Sequence, residues 1–375
     1  LFFSNYDVNL KGGVQPGFLG IGTPLVTLGG VRTVVGFSWR RFADVEMPEE
    51  TVSELTTAQG VGFPVVFSSE RSESGGVDSY APAVSVQAGP LLSFGAALNV
   101  LDGTWRSTDD IRLTTVGQPF RGGGGAKYRF SGTVPEFGVR VSVPRLQLAV
   151  RYMPRFNLEI RDGTFHNASV EVPSQPRVIT DARISDYDLA VPPALSAGLS
   201  FRPMERLLVT ADMNSQEWSK ASAKHLQTIT GPFPKGGSLP LADVSTIGVG
   251  AEYVLKRMSW AEIPVRAGFR TVPLGFRDVA VADLRIDTLQ VAPHILSVQH
   301  AGRFTGNEVE ANGLTFGASL RSGAHSWDLG IETYTYDYHK WFFDTPYDPL
   351  VNPEVARVRV ERTVTNLRFS TTHRF

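Results

Sequence analysis

Between Leu146 and Ile160 every even position is apolar or proline: Leu146, Leu148, Val150, Tyr152, Pro154, Phe156, Leu158 and Ile160. The odd positions carry Gln147, Ala149, Arg151, Met153, Arg155, Asn157 and Glu159. Strict alternation predicts a β-strand with one apolar and one polar face. At ~3.3 Å per residue it reaches roughly 50 Å, against ~5–6 residues for an ordinary soluble strand. A strand tilted by ~45° crosses a bilayer in about 9–11 residues. The stretch therefore reads as a membrane-crossing strand that projects beyond the lipid, with its even residues toward lipid.

The same pattern recurs along the chain. Strands are expected at Gly13–Val26, Val31–Phe42, Asp78–Gln87, Leu91–Leu101, Tyr128–Val143, Pro193–Arg202, Leu207–Trp218, Val244–Leu255, Ile263–Thr271, Leu314–Leu320, Trp327–Tyr338 and Glu354–Phe375. His294–Phe304 is expected to hold part of another. Six tight turns join these into hairpins, while Glu46–Gly76, Asp102–Gly125, Asp162–Asp186, Lys220–Ala242, Pro273–Val309 and Asp344–Pro353 read as long polar loops. Hairpin loops usually run ~2–5 residues, so short and long connections fall on opposite ends. That asymmetry belongs to outer-membrane barrels, with short periplasmic turns and long external loops. The expected class is all-β: a transmembrane antiparallel barrel of about fourteen strands, thirteen of them readable, forming one domain over residues 1–375.

Composition sharpens this picture by exclusion. No run of about 18 apolar residues exists, so helical spans are ruled out. Mean hydropathy of -0.07 suits a barrel, in which half of each strand faces water. A formal net charge of -1 gives no general pull toward nucleic acid. Cysteine is absent, which removes disulfides and thiolate metal sites. Leu1 is preceded by no initiator Met or charged-then-apolar leader, so a signal peptide is expected to have been removed or left out. Localisation in the outer membrane of a Gram-negative-type bacterium follows.

Three segments then resemble the FadL/TodX family of outer-membrane transporters for long-chain fatty acids and other hydrophobic compounds. They are Pro193–Trp218, Ile263–Pro273 (IPVRAGFRTVP) and the C-terminal Leu367–Phe375 (LRFSTTHRF). Weaker likeness covers Gly17–Phe42 and Asp78–Leu101. The resemblance implies a fourteen-stranded barrel with an N-terminal hatch, capture of ligand at an external groove, and exit sideways through a gap in the wall. The hatch, with its usual Asn-Pro-Ala, is not evident here, and Leu1–Leu10 is offered as the first strand or its remnant. The terminal Phe375 on an amphipathic strand is similar to the signal read by the barrel-assembly machinery.

The alternation places Arg151, Arg155, Glu159, Arg202, Asp212, Glu252, Arg266 and Arg270 on lumen-facing rows. Their plain role is to pair across a wet lumen. Arginine also offers a planar fork to a carboxylate, so Arg151, Arg155, Arg266 and Arg270 are the expected ligand-binding residues. Trp39, Trp105, Trp218, Trp260, Trp327 and Trp341 lie near strand ends as interfacial anchors. Phe63, Phe67 and Phe120 are candidates for an external groove. Gly122–Gly125 lacks the Lys-Ser/Thr of a phosphate loop. The histidines have no metal-ligand spacing, and Asp344, Asp348 and Glu354 read as a solvated acidic loop. No cofactor, metal or catalytic residue is expected.

Uptake of fatty acids or similar hydrophobic molecules is the expected function. Two other classes stay open. One is a scaffold barrel binding envelope partners; the other is an outer-membrane hydrolase built around His339 with Asp337 and Asp344.

Overall fold

The computed structural model describes residues 7–10, 17–28, 31–44, 50–57, 64–115, 118–171, 179–183, 186–224, 241–277, 286–287, 299–300, 308–341 and 357–373. In chain order the first strands are β1 (Asp7–Leu10), β2 (Phe18–Leu28), β3 (Val31–Asp44), β4 (Glu50–Thr57) and β5 (Pro64–Ala88). Next come β6 (Leu92–Thr115), β7 (Gln118–Val143), β8 (Leu146–Met153), β9 (Phe156–Glu171) and β10 (Ile179–Arg183). The middle of the chain holds β11 (Tyr187–Val191), β12 (Ala194–Met204), β13 (Leu207–Gln216), β14 (Ser222–Lys224) and β15 (Val244–Arg257). The rest are β16 (Glu262–Arg277), β17 (Ile286–Asp287), β18 (Gln299–His300), β19 (Glu308–Ser322), β20 (His325–Trp341) and β21 (Arg357–His373).

All ladders are antiparallel, and nearly all strands belong to one sheet that forms the wall of a β-barrel. Around the wall the order is β2, β3, β5, β6, β7, the broken strand β8/β9, the broken strand β11/β12, β13 with its continuation β14, β15, β16, β19, β20 and β21. That makes thirteen wall positions among the described residues. No pairing joins β2 to β21 among them, and both edges are bare: Leu19 is 71% exposed and Leu367 73%.

The described tight turns share one end, at 89–91, 144–145, 205–206 and 323–324. Pro144 fixes one backbone angle of its turn and Arg145 takes φ 70°, ordinarily glycine's region. Between the ends, the outward residues form an apolar girdle: Phe37, Phe94, Phe137, Leu148, Val150, Leu199, Ile247, Phe316 and Leu329 are all 40–55% exposed. A contiguous band of this kind far exceeds the patch a water-soluble monomer displays. It matches the lipid-facing band of a membrane barrel. No helix among the described residues is long and apolar enough to cross a membrane.

Several expected loops are strand. β5, β6 and β7 run 25, 24 and 26 residues. They rise past the girdle on the side opposite the tight turns. β4 pairs with the top of β5, and β1 pairs with β4. The described part of Leu1–Leu10 therefore lies on this projecting sheet, away from the wall edge at β2. Both faces of such a projection meet water, so its sequence has no apolar alternation to announce it.

At the base of the projection Gly75 takes φ 113°, a conformation that glycine alone adopts readily. A Cβ there would collide with the Thr104 carbonyl oxygen, and one on Gly103 would collide with that of Gly76. Gly75→Ala is expected to cost roughly 1–3 kcal/mol of local strain and to loosen the projection before the girdle. Limited proteolysis should then cut between residues 64 and 75 earlier than in the parent chain. Unchanged cleavage would show that the Gly75 conformation does not hold the projection in place.

Candidate functional site

The opening alternation holds only from Leu146 to Tyr152. There Leu148, Val150 and Tyr152 are exposed toward lipid. Pro154 and Arg155 leave the ladder, and on the neighbouring strand so do Pro192 and Pro193. Prolines lack the N–H that a central strand needs. Past this point the phase reverses: Phe156, Leu158 and Ile160 are buried, while Arg155, Asn157 and Glu159 lie exposed on the other face. Glu159 pairs with Arg161 at 3.5 Å, and Arg155 donates to Ser222 at 3.2 Å. Expected lumen positions for Arg155 and Glu159 are thus corrected by a proline-induced half-step.

The reversal opens a gap in the ladder. β7 pairs with β8 up to Phe137–Tyr152 and resumes with β9 only at Ser131–Glu159. Residues 132–136 of β7 have no partner on that side. The freed Pro192 carbonyl is taken by a lumen side chain, Gln216 Nε2, at 3.1 Å, while Asn99 Nδ2 donates to Val134 O at 3.3 Å from the strand directly opposite, β6. Backbone at membrane depth is tolerated outside a ladder only where other groups satisfy it.

Behind the gap, on the lumen side, sits an apolar cluster. Val134 is fully buried, and Val77, Leu101, Met153, Phe156, Leu158, Val191 and Ala194 surround it. Phe42 meets Phe156 edge to face at 6.1 Å, and Trp218 packs on the same cluster and not at a lipid interface. Higher still, Trp105 stacks on Tyr128 at 5.4 Å. There burial and the nearby Tyr128 push the Tyr187 hydroxyl up to about 12. It stays a protonated donor at any physiological pH. Across the lumen a second apolar group, Val309, Ala311 and Tyr336, packs with Val272, Leu274 and Val364.

Below each apolar group lies a polar layer. Under the first, Arg40 donates to Glu136 at 2.9 Å and to Asn99 at 3.1 Å, and Ser79 donates to Asn99 at 2.9 Å. Arg151 faces Glu136 at 3.7 Å and donates to Ser196 at 3.2 Å. Under the second, Arg270 and Arg368 flank the buried Glu332 at 2.8 and 2.9 Å. Nearer the tight turns Glu252 binds Arg266 at 2.7 Å and Arg321 at 2.6 and 2.9 Å. Arg266 also reaches Asp328 at 2.8 Å, which Ser319 and Ser326 hydrogen-bond.

Three of the four candidate arginines, Arg151, Arg266 and Arg270, are therefore inside and bound to carboxylates. A ligand carboxylate would reach them only in exchange for Glu136, Glu252, Asp328 or Glu332. Spacing along the chain does not reveal these partners, because Arg266–Asp328 and Arg321–Glu252 join residues 62 and 69 apart. The consecutive prolines at 192 and 193 were the available signal for the gap. Trp260 and Trp327 sit exposed by the tight turns, as interfacial anchors do. Among the other candidates, Phe63, Asp344, Asp348 and Glu354 lie outside the described residues, as do the side chains of Phe67, Phe120, His339 and Trp341.

This wall superposes on solved barrels. A Pseudomonas aeruginosa FadL homologue matches with a TM-score of 0.54 at 11% identity, over 95% of this chain and 77% of that one. The fold is that of this FadL homologue's barrel. The P. putida toluene transporter TodX aligns at 0.48 and 13% identity over 94% and 81% of the two chains. The monoaromatic hydrocarbon channel CymD aligns at 0.44 and 12% over 96% and 89%. No protein-family model and no curated protein sequence matches the chain. A FadL-type wall accounts for the girdle and the one-sided turns; the ladder gap and the polar layers are read from this chain's own residues.

Proposed function

We propose that this FadL-type barrel conducts hydrophobic small molecules across an outer membrane, from the loop side into the apolar cluster and then sideways through the ladder gap. The carrying observation is the coincidence of that gap with the buried apolar group at Val134 and Phe156. A hydrophobic solute descending the lumen meets apolar side chains first and a charged layer next. Desolvating the Arg40–Glu136–Arg151 network would oppose further descent, and the unpaired stretch of wall is the outlet at that level. Because Arg40, Arg151, Arg266 and Arg270 are committed to carboxylates, uncharged or weakly polar solutes suit the path better than fatty-acid anions. Arg151, Arg266 and Arg270 then serve as the floor that turns the solute, and would take a carboxylate only by exchange. The girdle supports residence in an outer membrane, and β21, with Leu367 and Phe369 outward, is the strand we propose is offered to the assembly machinery.

The test uses the absence of native cysteine. Continuing the Ser131–Glu159 register sets Val134 against Phe156. In Val134→Cys/Phe156→Cys an oxidised bridge would staple the gap. Uptake of a hydrophobic tracer into reconstituted vesicles is expected to fall at least about tenfold on oxidation, equivalent to ~1.4 kcal/mol on the barrier, and to recover on reduction. Equal uptake by the bridged protein would rule out the sideways outlet.

A further inference from the structure

Above the girdle, on the outward face of the same wall, four basic side chains are crowded together. Arg106 of β6 stands directly opposite Lys127 of β7, and Arg129 of β7 directly opposite Arg161 of β9. Their outward direction follows from unbroken parity. Arg106 continues the exposed row of Phe94, Leu98 and Val100, and Lys127 and Arg129 continue that of Val139 and Phe137. Like charges directly opposite each other on a sheet destabilise it.

The acids that serve this cluster match it in number but gather on Arg129 and Arg161. Asp102 reaches Arg129 at 3.5 Å, and Arg161 holds Asp188 at 2.6 Å and Glu159 at 3.5 Å. All three lie one row nearer the membrane than the bases they serve, and Asp186 adds a weaker attraction on Arg161. Arg106 and Lys127 are exposed and have no ion-pair partner among the described residues. Arg106 and Lys127 are thus the two bases of the cluster with no carboxylate beside them among the described residues. On β7 a ~10-residue crossing from Val143 ends near Thr133, and Arg129 lies four residues, about 10 Å of tilted strand, beyond it. That is the headgroup level of the leaflet on the loop side.

We infer that Arg106, Lys127, Arg129 and Arg161 bind the phosphate of an anionic lipid headgroup. A phosphomonoester fits four clustered cations because it presents several acceptor oxygens and close to two negative charges. An acyl chain on the same molecule would lie along Phe137 and Val139 below. The inference rests on the membrane reading of the girdle but not on transport.

Native mass spectrometry of the full chain in a mild non-ionic detergent tests it, with phosphatidic acid and phosphatidylcholine of identical acyl chains as probes. The parent chain is expected to retain phosphatidic acid preferentially. Arg106→Ser/Lys127→Ser is expected to weaken that retention about tenfold, roughly the worth of two exposed charge contacts. Lys256→Ser, an exposed base at the opposite end, should change nothing. Equal retention by the double variant, or no preference between the lipids, overturns the inference. Inorganic phosphate stabilising the parent chain against heat as well as phosphatidic acid does, with both effects lost in the double variant, would assign the site to a free anion and also overturn it. Tracer uptake by the double variant should be unchanged, so a failure here leaves the sideways outlet standing, and a failure of the cysteine staple leaves this site standing.

Discussion

Leu148→Arg or Val150→Arg is expected to destabilise the folded barrel in lipid by about 2–4 kcal/mol, the cost of a guanidinium near the bilayer midplane. Both side chains are 48% exposed on the outer face, in the middle of the girdle. Water-based exposure here means contact with hydrocarbon. The neighbouring Gln147 lies on the opposite row, so Gln147→Arg meets lumen water and should stay within about 0.5 kcal/mol of the parent chain. Urea titration of protein refolded into vesicles, followed by tryptophan fluorescence, separates the two. Equal tolerance of all three substitutions would remove the first evidence for a lipid-facing surface.

Glu252→Ala should be the most damaging change inside the lumen. Its carboxylate is buried at 9% exposure and binds Arg321 through two hydrogen bonds and Arg266 through one. Without it Arg266 keeps Asp328 at 2.8 Å. Arg321 keeps no acid partner among the described residues. Removing one member of a fully buried pair costs about 3–5 kcal/mol. The arginines here are 35–37% exposed and retain some hydration, so about 2 kcal/mol is expected. Adding Arg321→Met removes the stranded charge and should recover more than half of the loss. Glu252→Ala leaving the urea midpoint unchanged would show that the layer is held by water alone.

The sequence announces those parts of the chain that have lipid on one side and water on the other. Leu146–Tyr152 and Ile247–Tyr253 are such stretches, and their alternation is the direct imprint of that contrast. It is silent where both faces share a solvent, which is why Glu46–Gly76 reads as loop although most of it is strand. It also misleads at Pro154, where two residues outside the ladder exchange the faces and carry Arg155 and Glu159 outward. For the candidate site, parity along a strand was enough to put Arg151, Arg266, Arg270 and Glu252 inside. Their partners were not legible. Asp328 and Glu332 meet Arg266 and Arg270 through register set by another hairpin, and Glu136 reaches Arg151 from a position two rows off along its own hairpin.

The two bare edges of the wall carry a topological consequence. In an antiparallel sheet direction alternates from strand to strand, so the first and the thirteenth of thirteen positions point the same way. β2 and β21 cannot complete an antiparallel ladder by meeting each other. They can meet only in parallel, whereas a fully antiparallel closure takes an odd number of additional strands between them, running counter to both. In hydrocarbon each unsatisfied backbone group costs several kcal/mol, so closure by one of these two routes is a condition for a watertight ring in the membrane. Amide hydrogen exchange along Phe18–Leu28 and Arg357–His373 would report closure as protection equal to that of interior strands such as β13.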